Sequence, residues 1–254
     1  MINKKKLWLS IFALFTGFTF SVSCKRNEKN QIFIGSAMSL KEPLLKIAAE
    51  FEKKHGISVR FAFASSGVIS TQIRAGLPVD VYLSANRTFV DGLVDTNFAD
   101  KNSQIDFISN QLVLIRSKEN KNVNEFKDIE NVKRIACGNT QTVPAGIYTR
   151  QYLEKTGMWG KLKGKMVFGE HVRQISDWVQ RGEVDAGFVF KSDYNIVKAK
   201  TIIVKTVSDN KHKIRYSAAL VTASKKKEKG AKFLEFLKSP LAIKILENHG
   251  FSPL

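Results

Sequence analysis

Ile32-Phe-Ile-Gly-Ser-Ala-Met-Ser-Leu40 runs from an apolar β-branched stretch, through a turn of small neutral residues, into a helical period lasting to Lys54. Residues 32–34 predict a strand, and Leu44, Leu45, Ile47, Ala48 and Phe51 share one face of the helix that follows. The same unit recurs at 59–75. There a strand over 59–63 meets the turn Phe63-Ala-Ser-Ser-Gly-Val68, and a helix over 68–75 stops at Gly76 and Pro78. A third instance is Thr142-Val-Pro-Ala-Gly-Ile-Tyr148, which opens a helix over 146–156 with Pro144 suited to its first turn. Further strands are expected at 79–83, 112–115, 134–137, 186–190, 202–204 and 216–221, and further helices at 172–180, 229–238 and 240–247. Strands alternating with helices imply βαβ units, hence an α/β fold with mostly parallel sheets.

The three turns define a chemistry. A helix N-terminus leaves backbone N–H groups without intrahelical partners and carries partial positive charge. In an open α/β sheet, ligands bind outside the carboxyl ends of the strands, where such turns lie. Ser39 with Glu42 three residues on is by itself a capping box, and Ser66 before Gly67 reads as a cap in the same way. Two such serines after neighbouring strands, together with N–H groups, make a donor-rich and uncharged rim. Gly67 and Gly146 leave room for close backbone approach. Such a rim suits an anion and is poor for acid–base catalysis.

The N-terminus has the layout of a leader. Lys4, Lys5 and Lys6 precede an uncharged apolar run over 7–22, and Ser21-Val-Ser-Cys24 is followed by Lys25 and Arg26. Residues 1–23 are expected to be a signal peptide. Cys24 after small residues resembles a lipobox, with Ser21 where Leu is usual, so Cys24 is the expected lipidation site and 24–30 the tether. Roughly 225 residues then remain, enough for one large or two modest domains.

The chain carries a net charge of +18, and three of those positive charges leave with the leader. A basic surface steers anions or meets anionic lipid. Export argues against nucleic acid as partner, and runs such as Lys225-Lys-Lys-Glu-Lys229 read as a solvated helix face. With Cys24 acylated, no intrachain disulfide is possible, and Cys137 at an apolar strand end reads as a small buried hydrophobe. His55, His171, His212 and His249 show no metal-ligand spacing, and no nucleophile elbow is present. An exported hydrolase is therefore disfavoured, and the chain is not expected to be an enzyme.

Phe63-Ala-Ser-Ser-Gly67, Ile73-Arg-Ala-Gly-Leu-Pro-Val-Asp-Val-Tyr-Leu-Ser84 and Val143-Pro-Ala-Gly-Ile-Tyr148, in this order and spacing, resemble the periplasmic molybdate-binding proteins of ABC transporters. Gly157-Met-Trp159, His171-Val-Arg173 and Gly250-Phe251 fit the same pattern, and the likeness runs from about 31 to 252. It implies a two-lobe binding protein of type II, with lobe one at 31–110 plus 214–254 and lobe two at 111–213. The crossings between lobes are then expected near 110–113 and 211–216. The resemblance implies molybdate or tungstate as ligand, sulfate or another oxyanion being the alternative, with no cofactor and molybdenum present only as the bound oxyanion. Its donors carry over to Ser39, Ser66, Ala145 and Val172. The fifth position is usually a Tyr; here it is Phe190, which has no hydroxyl. The partners it implies are an ABC permease and, through Cys24, the membrane, for a monomer on the extracytoplasmic side.

Overall fold

A computed structural model describes residues 30–207 and 214–254. The leader, Cys24, nearly all of the tether, His212 and the first half of the second expected crossing lie outside the described residues.

The chain begins with β1 (Gln31–Ala37), a 3-10 turn at Met38–Leu40, and α1 (Lys41–His55). Leu44, Ile47, Ala48 and Phe51 of α1 are buried, and the Phe51 ring meets Phe233 edge-on at 5.1 Å. Leu45 departs from expectation: it is 50% exposed, because the 3.6-residue period carries it off the stripe of its neighbours. Gly56 ends α1 in the left-handed conformation, at φ 66°. β2 (Ser58–Ala64), α2 (Ser66–Arg74), β3 (Val81–Ser84), α3 (Arg87–Asp95) and β4 (Ile105–Asn110) follow.

Gln111 alone separates β4 from β5 (Leu112–Ser117). Then come β6 (Ile135–Gly138), α4 (Pro144–Lys155), α5 (Trp159–Leu162), β7 (Met166–Gly169), α6 (Val172–Gln180), β8 (Ala186–Phe190), α7 (Lys191–Val197) and β9 (Thr201–Val207). The last elements are β10 (Ile214–Leu220), α8 (Lys227–Leu237) and α9 (Pro240–Asn248).

Two five-stranded sheets result, in the orders β2-β1-β3-β10-β4 and β7-β6-β8-β5-β9. Each has a parallel βαβ half and an antiparallel half. β1 pairs in parallel with β2 and β3, and β6 with β7 and β8. β10 runs against β3 and β4, and β5 against β8 and β9. The sheets are thus mixed where mostly parallel ones are expected, because a strand that crosses from the other lobe enters against the βαβ core. Tyr216 pairs with Ile108 while Ser217 pairs with Asp106, so β4 carries a one-residue bulge at Phe107.

Several elements have no counterpart in the sequence pattern. β7 is a four-residue edge strand whose Phe168 is 47% exposed, so it shows no alternation. β4 interrupts its apolar run with Asp106 and Ser109, both of which hydrogen-bond within the fold. α3 is marked instead by its Asn86 cap, whose Oδ1 accepts from the Thr88 N–H at 2.9 Å.

Candidate functional site

β1 and β2 are adjacent and parallel, with Ala37 opposite Ala64, so the two serine turns leave the same sheet edge side by side. Ser39 and Ser66 are both buried. The capping box does not form: α1 has no side-chain cap, and Glu42 reaches Arg173 at 2.8 Å instead. Ser66 is likewise not a cap. It is the first residue of α2, and its Oγ accepts the Ala85 N–H at 3.0 Å. With that lone pair engaged, its own proton is left for another acceptor. Its backbone carbonyl accepts from the buried Tyr82 hydroxyl at 2.7 Å. Ser65, the N-cap of α2, has a buried Oγ with no hydrogen-bond partner. A buried hydroxyl without a partner is costly, and an accepting group brought to it would offset that cost.

The second lobe supplies two helix N-termini. Ala145 is the second residue of α4 and Val172 the first of α6, so neither N–H has an intrahelical acceptor. Both residues are buried. Gly146 packs so tightly on β6 that a Cβ there would strike the Gly138 carbonyl. His171 is the N-cap of α6, its Nδ1 accepting the Gln174 N–H at 3.2 Å, so the ring closes the helix end.

Direct contacts tie the lobes together around these groups. The Gly67 N–H donates to the Thr142 carbonyl at 2.9 Å, which links the Ser66 turn to the turn that opens α4. Arg173 and Glu42 link α6 to the Ser39 turn, and α6 packs on Met38–Leu40. Arg173 also lies 3.7 Å from Asp193, a fully buried carboxyl pushed up to about 7 by desolvation, with Arg173 opposing the shift.

Phe190 ends β8 with 1% of its surface exposed. Its ring faces Tyr216 at 5.9 Å and Tyr148 at 6.4 Å. Tyr216 is the residue that sequence reasoning passes over. It reads as one more apolar position of β10, yet its Oη lies 2.9 Å from Ser39 Oγ and 3.2 Å from Asn110 Nδ2. Burial pushes its phenol well above the ordinary value, so it keeps its proton. No local pattern carries that information, since it comes from the strand order that sets β10 two places from β1.

The remaining cysteine is inert. Cys137 is buried, and desolvation pushes its thiol up to about 12. Among the described residues no group of three or more His, Cys, Asp or Glu is placed to hold a cation. A surface groove of about 680 Å³ is bordered by Phe33, Leu77, Phe98 and Val221. It lies at the opposite end of β1 and β3 from the donors and takes no part in this arrangement. These turns thus offer hydroxyl and amide donors, with Arg173 paired to Glu42 beside them. Such a set of donors suits binding of an acceptor-rich guest.

Comparison with known proteins agrees. The family model described as "Bacterial extracellular solute-binding protein" matches residues 32–252. YvgL of Bacillus subtilis, assigned as the substrate-binding lipoprotein of an ABC transporter, is 32% identical, with 96% of this chain and 95% of that protein covered. The molybdate-binding protein ModA of Escherichia coli is 31% identical, over 96% of this chain and 98% of its own. The solved periplasmic molybdate-binding protein of Azotobacter vinelandii superposes with a TM-score of 0.78 at 24% identity, covering 88% of this chain and 99% of that one. These relatives are transport components, not enzymes. The chain, with its two mixed five-stranded sheets, belongs to the bacterial extracellular solute-binding proteins and serves as the substrate-binding component of an ABC transporter.

Proposed function

We propose that this protein captures molybdate or tungstate between its lobes and delivers it to an ABC permease. The anion is held by the hydroxyls of Ser39 and Ser66 and by the N–H groups of Ala145 and Val172. The lobes in this reading are 31–110 plus 214–254 and 111–213. The protein acts as a monomer on the extracytoplasmic side, tethered through a lipid on Cys24. The observation that carries the proposal is the state of Ser66: a buried hydroxyl whose oxygen already accepts from a fixed backbone N–H, beside helix ends that also offer only donors. A tetrahedral dianion presents acceptors only, so it satisfies every member of this set. A ligand bearing a hydroxyl would place donor against donor. The molybdate-binding relatives support the choice of anion.

One feature favours sulfate as a second reading. Phe190 withdraws a donor, and a hydrogen bond to a charged group is worth about 1.5–3 kcal/mol. Titration of the soluble protein with molybdate, tungstate and sulfate, followed through Trp159 and Trp178 fluorescence and melting temperature, separates the readings. Micromolar response to molybdate or tungstate, undisturbed by excess sulfate, is expected. Response to sulfate alone assigns the site to the smaller anion, and response to none of the three sinks the proposal.

A further inference from the structure

The hydroxyl that Phe190 lacks has a counterpart elsewhere in the cleft. The Gln111 N–H donates to Asn110 Oδ1 at 2.8 Å, which fixes the orientation of that amide. Asn110 Nδ2 then donates to Ser192 Oγ at 2.9 Å and to Tyr216 Oη at 3.2 Å. A phenol has one proton. Tyr216 Oη accepts from Asn110, and its other partner is Ser39 Oγ at 2.9 Å, a contact in which either hydroxyl can donate; giving the phenol proton to Ser39 leaves neither proton of the pair without a direction to point in. The ring is held for this purpose. It is fully buried, meets Phe107, Phe190 and Phe251 edge-on or nearly so, and sits beside the bulge that re-aims β10 against β4.

The direction of the chain decides what Ser39 offers. Its oxygen accepts from Tyr216, so its proton points away from Tyr216 toward the next acceptor. Hydrogen bonds in series polarise one another, which strengthens the last donor. We propose that Tyr216, oriented by Asn110, is a positioning residue that turns the Ser39 proton toward the cleft, holding Ser39 as a donor there, and so compensates for the missing hydroxyl at Phe190. The inference rests on the reading of the cleft as an oxyanion site, and it adds a selectivity device. An anion that carries a proton needs an acceptor in the cleft. Tyr216 occupies one of the two lone pairs of Ser39 Oγ and turns the Ser39 proton into the cleft, which disfavours Ser39 as that acceptor.

Tyr216→Phe keeps the ring and removes the lock. Its binding of molybdate and of inorganic phosphate at mildly acidic pH, measured by calorimetry beside the wild type, reads the proposal out. Molybdate should bind about tenfold more weakly. Phosphate should bind no more weakly than to the wild type, so that the molybdate-to-phosphate ratio falls, a change that loosened packing would not produce. In a Ser39→Ala background the same substitution should cost nothing further. Asn110→Asp is the second variant. The new carboxylate accepts the Tyr216 proton, reverses the chain and should weaken molybdate at least as much. If Tyr216→Phe binds molybdate as the wild type does, or loses the same factor with and without Ser39, the assignment of Tyr216 falls while the oxyanion reading stands. If the wild type ignores molybdate, tungstate and sulfate alike, the oxyanion reading falls and the role of Tyr216 with it.

Discussion

Arg173 Nη2 lies 2.8 Å from Glu42 Oε2 and bridges the lobes next to the Val172 N–H. The pair is partly shielded, with side-chain exposures of 18% and 35%, so it belongs between a surface pair and a buried one. Glu42→Gln removes the charge but keeps the shape. Oxyanion affinity should drop about fivefold, near 1 kcal/mol, with the loss shrinking as salt is raised. Equal affinity at low salt would show that the bridge does not favour closure.

Closure also depends on Gly67. A Cβ there would lie 2.7 Å from Thr142 Cα, a backbone atom that cannot swing aside. Gly67→Ala should leave the melting temperature of the ligand-free protein within a few degrees of the wild type, yet weaken oxyanion binding by tenfold or more. Small-angle scattering should show a more open particle with ligand present. A variant that binds and compacts normally would remove the Gly67–Thr142 contact from the closing mechanism.

Phe190→Tyr restores the hydroxyl that the family pattern places on β8. Binding of molybdate should tighten by about tenfold, while the ligand-free protein loses about 1–3 kcal/mol because the new hydroxyl is buried without a fixed partner. The two signs together are the test, read by calorimetry and thermal melts. Weaker binding would mean that the ring does not face the anion.

Ser65 makes the converse case. Its buried hydroxyl has no partner, so Ser65→Ala should stabilise the ligand-free protein by about 1 kcal/mol and reduce the gain in melting temperature on adding molybdate. An unchanged gain would assign the hydroxyl to packing alone.

Asp193 gives the protein a pH signature. Its carboxyl is pushed from 3.8 to about 7, by burial first and by nearby Glu42, against the pull of Arg173 and a bond from Ser192. Between these values the folded chain keeps a proton that the unfolded chain has lost. Stability from this group is therefore greatest below about pH 4 and declines as pH rises to about 7, by on the order of 1.4 kcal/mol per unit. Asp193→Asn should flatten that part of the stability–pH curve, measured by urea unfolding. A wild-type curve rising through the same window, unchanged in the variant, would contradict it.

The strand–turn–helix units were legible because each carries its own signals. β-branched runs, small-residue turns and 3.6-residue stripes mark β1 through α2 and the opening of α4 without reference to the rest of the chain. The placing of Ser39, Ser66 and Ala145 on those turns was legible for the same reason. What escaped depends on partners distant in sequence. Glu42 reads as a local cap until α6 brings Arg173 to it, and Tyr216 reads as a core residue until strand order sets it beside Ser39. The mixed character of the sheets escaped likewise, since pairing direction is set by which strands return from the other lobe rather than by residue type.

The burial of Cys137 has a practical consequence. A soluble form beginning after Cys24 carries a single thiol, fully buried and held protonated at neutral pH. Maleimide dyes should ignore it. Cysteines introduced at the exposed Lys46 and Lys163, one on each side of the cleft, would be the reactive pair. That soluble form is thus already a silent background for fluorescence energy transfer, and its opening and closing can be timed one molecule at a time.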